Sequence, residues 1–137
     1  MSANSGPGYR KHPDHRITTT PARGRVRVTF DGEVIADTTA AIRLSESDYP
    51  AVYYVPRADV EMDRLSPTAH RTYCPFKGDA SYFTLTSRNG RVAGDAVWSY
   101  ESPYDEVMSI RNHLAFYPSK VESIAFTAER EGVTSNT

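Results

Sequence analysis

Between Tyr73 and Phe83 the chain reads Tyr-Cys-Pro-Phe-Lys-Gly-Asp-Ala-Ser-Tyr-Phe. This stretch brings a thiol (Cys74), an amine (Lys77) and a carboxylate (Asp79) together at a turn that feeds an alternating strand pattern. Cys74 is the only cysteine. A nucleophilic thiolate is favoured by a nearby cation, and Lys77 could supply one. The plainer alternative is a buried cysteine under the Pro75 turn, since free cysteine packs as a small hydrophobe. Lys77 could hold an anionic ligand, act as a general base or form a Schiff base; it could also simply pair with Asp79 on the surface of the turn. Gly78 permits a backbone angle closed to other residues, which suits a tight turn or the close approach of a ligand.

Other chemistry-bearing residues are scattered. Glu46 falls at a strand end beside Ser45, and Arg57-Ala58-Asp59 follows Pro56. Tyr53, Tyr54, Tyr73, Tyr82, Phe83, Trp98, Tyr100, Phe116 and Tyr117 fall at strand positions. Such aromatics pair across strands and fill cores, and their polar tips can also wall a small-molecule cleft. His12, His15, His70 and His113 form no His-x-His or His-Glu-x-x-His pattern, so no metal is expected. A single cysteine excludes a structural zinc site that needs two from this chain. No Gly-x-Gly-x-x-Gly, Walker A or Gly-x-Ser-x-Gly sequence occurs, and no cofactor is implied.

At 137 residues the chain is expected to form one domain. Its formal net charge of −1 gives no global pull toward nucleic acid or anionic membrane. There is neither an apolar run long enough to span a bilayer nor an apolar signal core, and the lone cysteine fits a reducing cytoplasm. Residues 1–13, with Gly6, Pro7, Gly8 and Pro13, read as a disordered lead. Arg10, Lys11, Arg16, Arg23 and Arg25 make the first part of the chain basic. A solvated tail explains that charge better than RNA binding, because no aromatic platform interleaves with it.

From Arg25 the period is two: Val26, Val28 and Phe30 mark a half-buried strand, Asp31-Gly32 a hairpin turn, and Glu33 to Asp37 the return. Further strands are predicted at Ala40–Leu44, Val52–Val55, His70–Cys74, Ala80–Thr86, Val92–Tyr100 and Val121–Phe126, with a turn at Arg88-Asn89-Gly90. Arg57 to Leu65 fits a helical turn or a strand equally well. Tyr104 to Asn112 has helical spacing through Val107, Ile110 and Leu114, and the chain is expected to fray from Glu129. Short strands, Gly/Pro turns and little helix argue for an all-β sandwich, barrel or tent.

Several segments together resemble the DUF427 family of small bacterial and fungal proteins. They are Gly24-Arg-Val-Arg-Val, Val34-Ile-Ala-Asp-Thr, Tyr53-Tyr-Val-Pro-Arg-Ala-Asp-Val60, Thr72 to Phe83, Ala96-Val-Trp-Ser-Tyr100 and His113-Leu-Ala-Phe-Tyr-Pro118. The resemblance runs from about Asp14-His15 to Val121-Glu122, and the lead with Asp14-His15-Arg16-Ile17 looks like an actinobacterial branch. Phe76 stands where the family more usually has tyrosine. The resemblance implies a mostly β, compact β-tent domain over residues 14–128 with short helical turns and no structural zinc. A nucleotidyltransferase label attaches to the family, but this chain has no Gly-Ser followed by a spaced Asp-x-Asp for two metal ions.

On the tent reading one sheet face closes over a pocket. Cys74, Lys77 and Asp79 are expected at its mouth, with Tyr54, Arg57, Trp98 and Glu46 nearby. One function is binding of a small anionic ligand by Lys77 and Arg57, stacked on Trp98. The other is catalysis by Cys74 as nucleophile or Lys77 as base. A third is an interaction domain that uses its sheet edges and basic lead, and such edges leave a homodimer open.

Overall fold

The computed structural model describes residues 4–129. The chain is mostly β with short helical turns, as expected, and the described residues form ten strands in three antiparallel sheets. The strands are β1 (Ile17–Pro21), β2 (Gly24–Phe30), β3 (Glu33–Thr38), β4 (Ile42–Glu46) and β5 (Val52–Tyr54), followed by β6 (Leu65–Cys74), β7 (Gly78–Thr86), β8 (Val92–Tyr100), β9 (Ala115–Phe116) and β10 (Ser123–Ala128). The sheet orders are β1-β4-β5, β10-β2-β3 and β6-β7-β8-β9. Both residues of the Asp31-Gly32 turn have positive φ, 51° and 75°, the twist that a two-residue hairpin loop requires. Arg57 to Leu65 resolves into two 3-10 turns, Arg57–Asp59 and Met62–Arg64, ahead of β6. The helical spacing after Tyr104 forms a kinked 3-10 segment, Asp105–Ile110, that buries Val107 and Ile110.

The four-stranded sheet is covered on both faces. Phe83 and Val97 are paired in register and, with Leu85 and Phe116, pack against Val26, Val28 and Ile35 of the β2–β3 hairpin. One residue along each strand, Tyr82 pairs with Trp98, and this face meets Leu44, Tyr54, Val107 and Ile110. Alternation along β7 and β8 therefore serves two cores, with apolar side chains buried on both faces. A Val55–Leu114 bridge, bonded both ways at 2.8 Å, stitches β5 to the segment before β9. Among the described residues no helix is long and apolar enough to cross a membrane.

The lead departs from expectation. Residues 4–13 pack on the domain as a strap that contains one helical turn, α1 (Gly8–Lys11). Glu106 receives the Ser5 hydroxyl and the Gly6 N–H, and the Gly8 N–H reaches the Pro75 carbonyl at 3.0 Å. Gly8 is buried against Phe76, so close that a Cβ there would lie 2.8–2.9 Å from three ring atoms. A short polar segment with few apolar residues gives no periodic signal, yet backbone hydrogen bonds and one aromatic anchor hold it. Gly8→Ala is expected to cost about 1–3 kcal/mol through overpacking against Phe76, seen as a lowered melting temperature. An unchanged melting temperature would mean that the strap lifts off freely. β1 was also not predicted: Thr18, Thr19 and Thr20 lie on an exposed edge strand and lack the apolar alternation that marks a half-buried one. Glu129 bonds to the Arg23 carbonyl at 2.9 Å, and the rest of the predicted frayed tail lies outside the described residues.

Candidate functional site

Lys77 closes the β6–β7 turn. Its N–H bonds to the Cys74 carbonyl at 3.2 Å, and Gly78, at φ 112°, turns the chain into β7. The side chain is then directed to β4, where Nζ donates to Glu46 Oε1 at 2.6 Å. The other oxygen of Glu46 lies 2.8 Å from His15 Nε2, at the end of the strap. The side chains of Lys77, Glu46 and His15 are 13 %, 17 % and 21 % exposed, so the Lys77–Glu46 ion pair and the His15 contact behind it are largely shielded from solvent. Phe76 stacks on the His15 ring at 4.2 Å and fixes its tilt.

Lys77 and Glu46 border a cavity of about 200 Å³ between the β1-β4-β5 sheet and the four-stranded sheet. Tyr54, Tyr82, Trp98, Tyr100 and Tyr117 wall it, and the exposed Tyr49 stands at its edge. The register explains their convergence: Tyr82 opposes Trp98, Trp98 opposes Ala115, and Tyr54 opposes Ile42 on the facing sheet. Trp98 Nε1 donates to the Tyr54 hydroxyl at 3.1 Å, and the Trp98 ring lies 4.5 Å from that of Tyr117. Thr72 and Tyr82 share a hydroxyl hydrogen bond at 2.8 Å.

Electrostatics bias the ionisation of Glu46 and three of the tyrosines. Burial raises the Glu46 carboxyl, but the Lys77 hydrogen bond and charge, with His15 behind them, outweigh it and hold Glu46 below its usual value. Burial pushes the Tyr54 and Tyr100 phenols well above theirs, and burial with the Tyr82 hydrogen bond pushes Tyr117 up to about 12. The phenols of the unfolded chain ionise near 10, lower than in the fold. Their contribution to stability is therefore complete below pH 10 and declines as pH rises through the folded values. The melting temperature is expected to fall above pH 10, with phenolate absorbance from these residues appearing only alongside unfolding. Tyr100→Phe should shrink that fall. An equal fall in the variant would place the alkaline transition elsewhere.

Four of the expected residues, Glu46, Tyr54, Lys77 and Trp98, meet at this cavity. Cys74 is half-buried on the same sheet face, since Cys74 opposes Gly78 as Thr72 opposes Ala80, but it does not line the cavity. Asp79 stands elsewhere: it is exposed and pairs with Tyr73, facing away from Ala80 and Tyr82. Arg57 is also elsewhere. It donates to the Asn112 carbonyl, the Ser99 hydroxyl and Glu101, and lies 5.5 Å over the Phe83 ring, all on the opposite side of β8 from Trp98. His15 lies beside the cavity through Glu46, and Tyr82, Tyr100 and Tyr117, named in the sequence only among aromatics that could wall a cleft, line it. The three tyrosines share the strand parity of Trp98, Tyr82 on β7, Tyr100 on β8 and Tyr117 just past β9, a signal that appears only once the register is known. Among the described residues no group of three or more His, Cys, Asp or Glu is placed to hold a metal ion.

Comparison with curated proteins finds no match. A family model described as a domain of unknown function, DUF427, matches residues 18–127, which include Glu46, Lys77 and every wall of the cavity but exclude His15. The chain belongs to the DUF427 family.

Proposed function

We propose that this domain is a cytoplasmic binding module for a small molecule that carries an anionic oxygen, seated in the tyrosine-lined cavity with Lys77 at its mouth. The observation that carries the reading is the donor character of the site. Lys77 presents an ammonium with three N–H groups, only one of which Glu46 occupies. The buried phenols stay protonated and can donate as well. Such a lining suits a ligand rich in acceptors, and Glu46 and His15 set the position of the ammonium without filling the cavity. The volume lies below the roughly 300–1,000 Å³ of drug-sized pockets, so the part of the ligand held here is small. The lone thiol, unpaired, fits a reducing compartment.

The test is a thermal-shift and calorimetric screen of small carboxylates and phosphates on four proteins: wild type, Lys77→Ala, Arg57→Ala and Asp79→Ala. A binder of the wild-type protein is expected to survive the Arg57 and Asp79 substitutions and to lose at least ~10-fold in affinity with Lys77→Ala, the scale of one charged hydrogen bond. Binding that tracks Arg57 would overturn the assignment. Catalysis by Cys74 is the second reading, favoured by its place on the same sheet face. Alkylation by iodoacetamide no faster than that of a free thiol would end it.

A further inference from the structure

We propose that the tyrosine-lined cavity continues behind Trp98 into an apolar chamber, and that the two form one cleft for an anionic amphiphile: a single anionic headgroup on an acyl or aryl body. This rests on the reading of the polar site given above and names the class of its ligand. The chamber measures about 480 Å³ and lies between β5, β2, β9 and β10. Its floor is Val26, Val28, Val55 and Phe116, none more than 4 % exposed. The charged residue on its lining, Glu122, accepts the Gly32 N–H at 2.9 Å, so that carboxylate is engaged on the turn.

Two residues, Val52 and Trp98, line both spaces. Alternation along β5 divides the strand between them: Tyr54 faces the polar cavity, while Tyr53 and the following Val55 face the chamber. The indole is partitioned in the same way. Its N–H is committed to the Tyr54 hydroxyl on the polar side, which leaves hydrocarbon toward the chamber. A ligand whose head rests near Lys77 meets apolar walls as soon as its body passes Trp98. The polar cavity alone is too small for a drug-sized molecule, whereas the chamber is of the ordinary size for one. Burial of a chain there strengthens binding by roughly fourfold per methylene.

Propionate and octanoate are the probes, titrated by calorimetry and by the fluorescence of Trp98, the sole tryptophan of the chain. Octanoate is expected to bind at least ~50-fold tighter than propionate and, unlike propionate, to shift Trp98 emission to the blue. Ala51→Phe fills the chamber from the residue before β5 and Ile124→Phe from β10, and neither position lines the polar cavity. Both are expected to bring octanoate down to the propionate level, and Lys77→Ala to weaken both acids. Octanoate no tighter than propionate, with propionate still dependent on Lys77, would overturn the joined cleft and leave the polar site standing. Tight octanoate binding indifferent to Lys77→Ala would make the chamber a separate site and also overturn it. Binding of neither acid would overturn the joined cleft, while the polar site is decided by the carboxylate and phosphate screen.

Discussion

Glu46→Ala is expected to destabilise the protein by about 1–3 kcal/mol and to abolish binding of the small anion. Removing one partner of a fully buried ion pair costs roughly 3–5 kcal/mol, because the other charge is left without compensation. Here solvent still reaches the group, so the cost is smaller. The loss is larger than for an ordinary surface pair because one carboxylate serves two partners, Lys77 and His15. Lys77 would also lose the acceptor that fixes its direction, which is why function is expected to fall with stability. Glu46 ionises below its usual value of 4.5 in the fold, so its contribution is complete above pH 4.5 and is lost as pH drops through the folded value. The variant and wild type should therefore converge in stability under acid, followed by urea denaturation. A double variant, Glu46→Leu with Lys77→Met, should be more stable than Glu46→Ala, since replacing both partners leaves no stranded charge. If Glu46→Ala matches wild type at neutral pH, the Lys77–Glu46 pair is a surface ornament and not part of the structure.

Leu114→Ala is expected to have the larger effect on stability alone, about 2–5 kcal/mol. Leu114 is fully buried, and its backbone exchanges both hydrogen bonds with Val55 at the seam between two sheets. Truncation leaves a cavity where β5, the β2–β3 hairpin and the four-stranded sheet meet, and the backbone on either side is too constrained to collapse into it. Denaturant unfolding should show a reduced midpoint with an unchanged slope. A cost under about 0.5 kcal/mol, the level of an ordinary surface substitution, would mean that this seam does not support the core.

Much of the framework was legible because local chemistry and burial agreed. Asp31-Gly32 demanded a hairpin and made one, and Val107 with Ile110 marked a helical segment that buries both. The site was legible only in part, for a geometric reason. Proximity in sequence suggested that Lys77 and Asp79 would act together, but Lys77 lies in the turn before β7 and the positive φ of Gly78 sends Asp79 to the exposed face. Arg57 and Trp98 fall in two of the family-like segments, yet a strand stands between them. Conversely, Tyr82 and Tyr100 lie on β7 and β8 and Tyr117 just after β9, where parity is set by pairing, and pairing cannot be read from any one segment. His15 was the hardest to foresee: the groups that hold it, Phe76 and Glu46, lie far along the chain.

The lead that carries the strap and His15 differs in kind from the walls beside it. Every wall residue on a strand is locked to a ladder, where a slip of one position would turn its side chain to the other face. The strap and the residues that lead from it to Ile17 belong to no ladder; isolated hydrogen bonds and a ring contact hold them. Insertions or exchanges there leave strand parity untouched. Inheritance can thus rewrite the group that hydrogen-bonds to Glu46 in small steps while the sheets stay fixed, so the lead is the part of this site most open to evolutionary retuning.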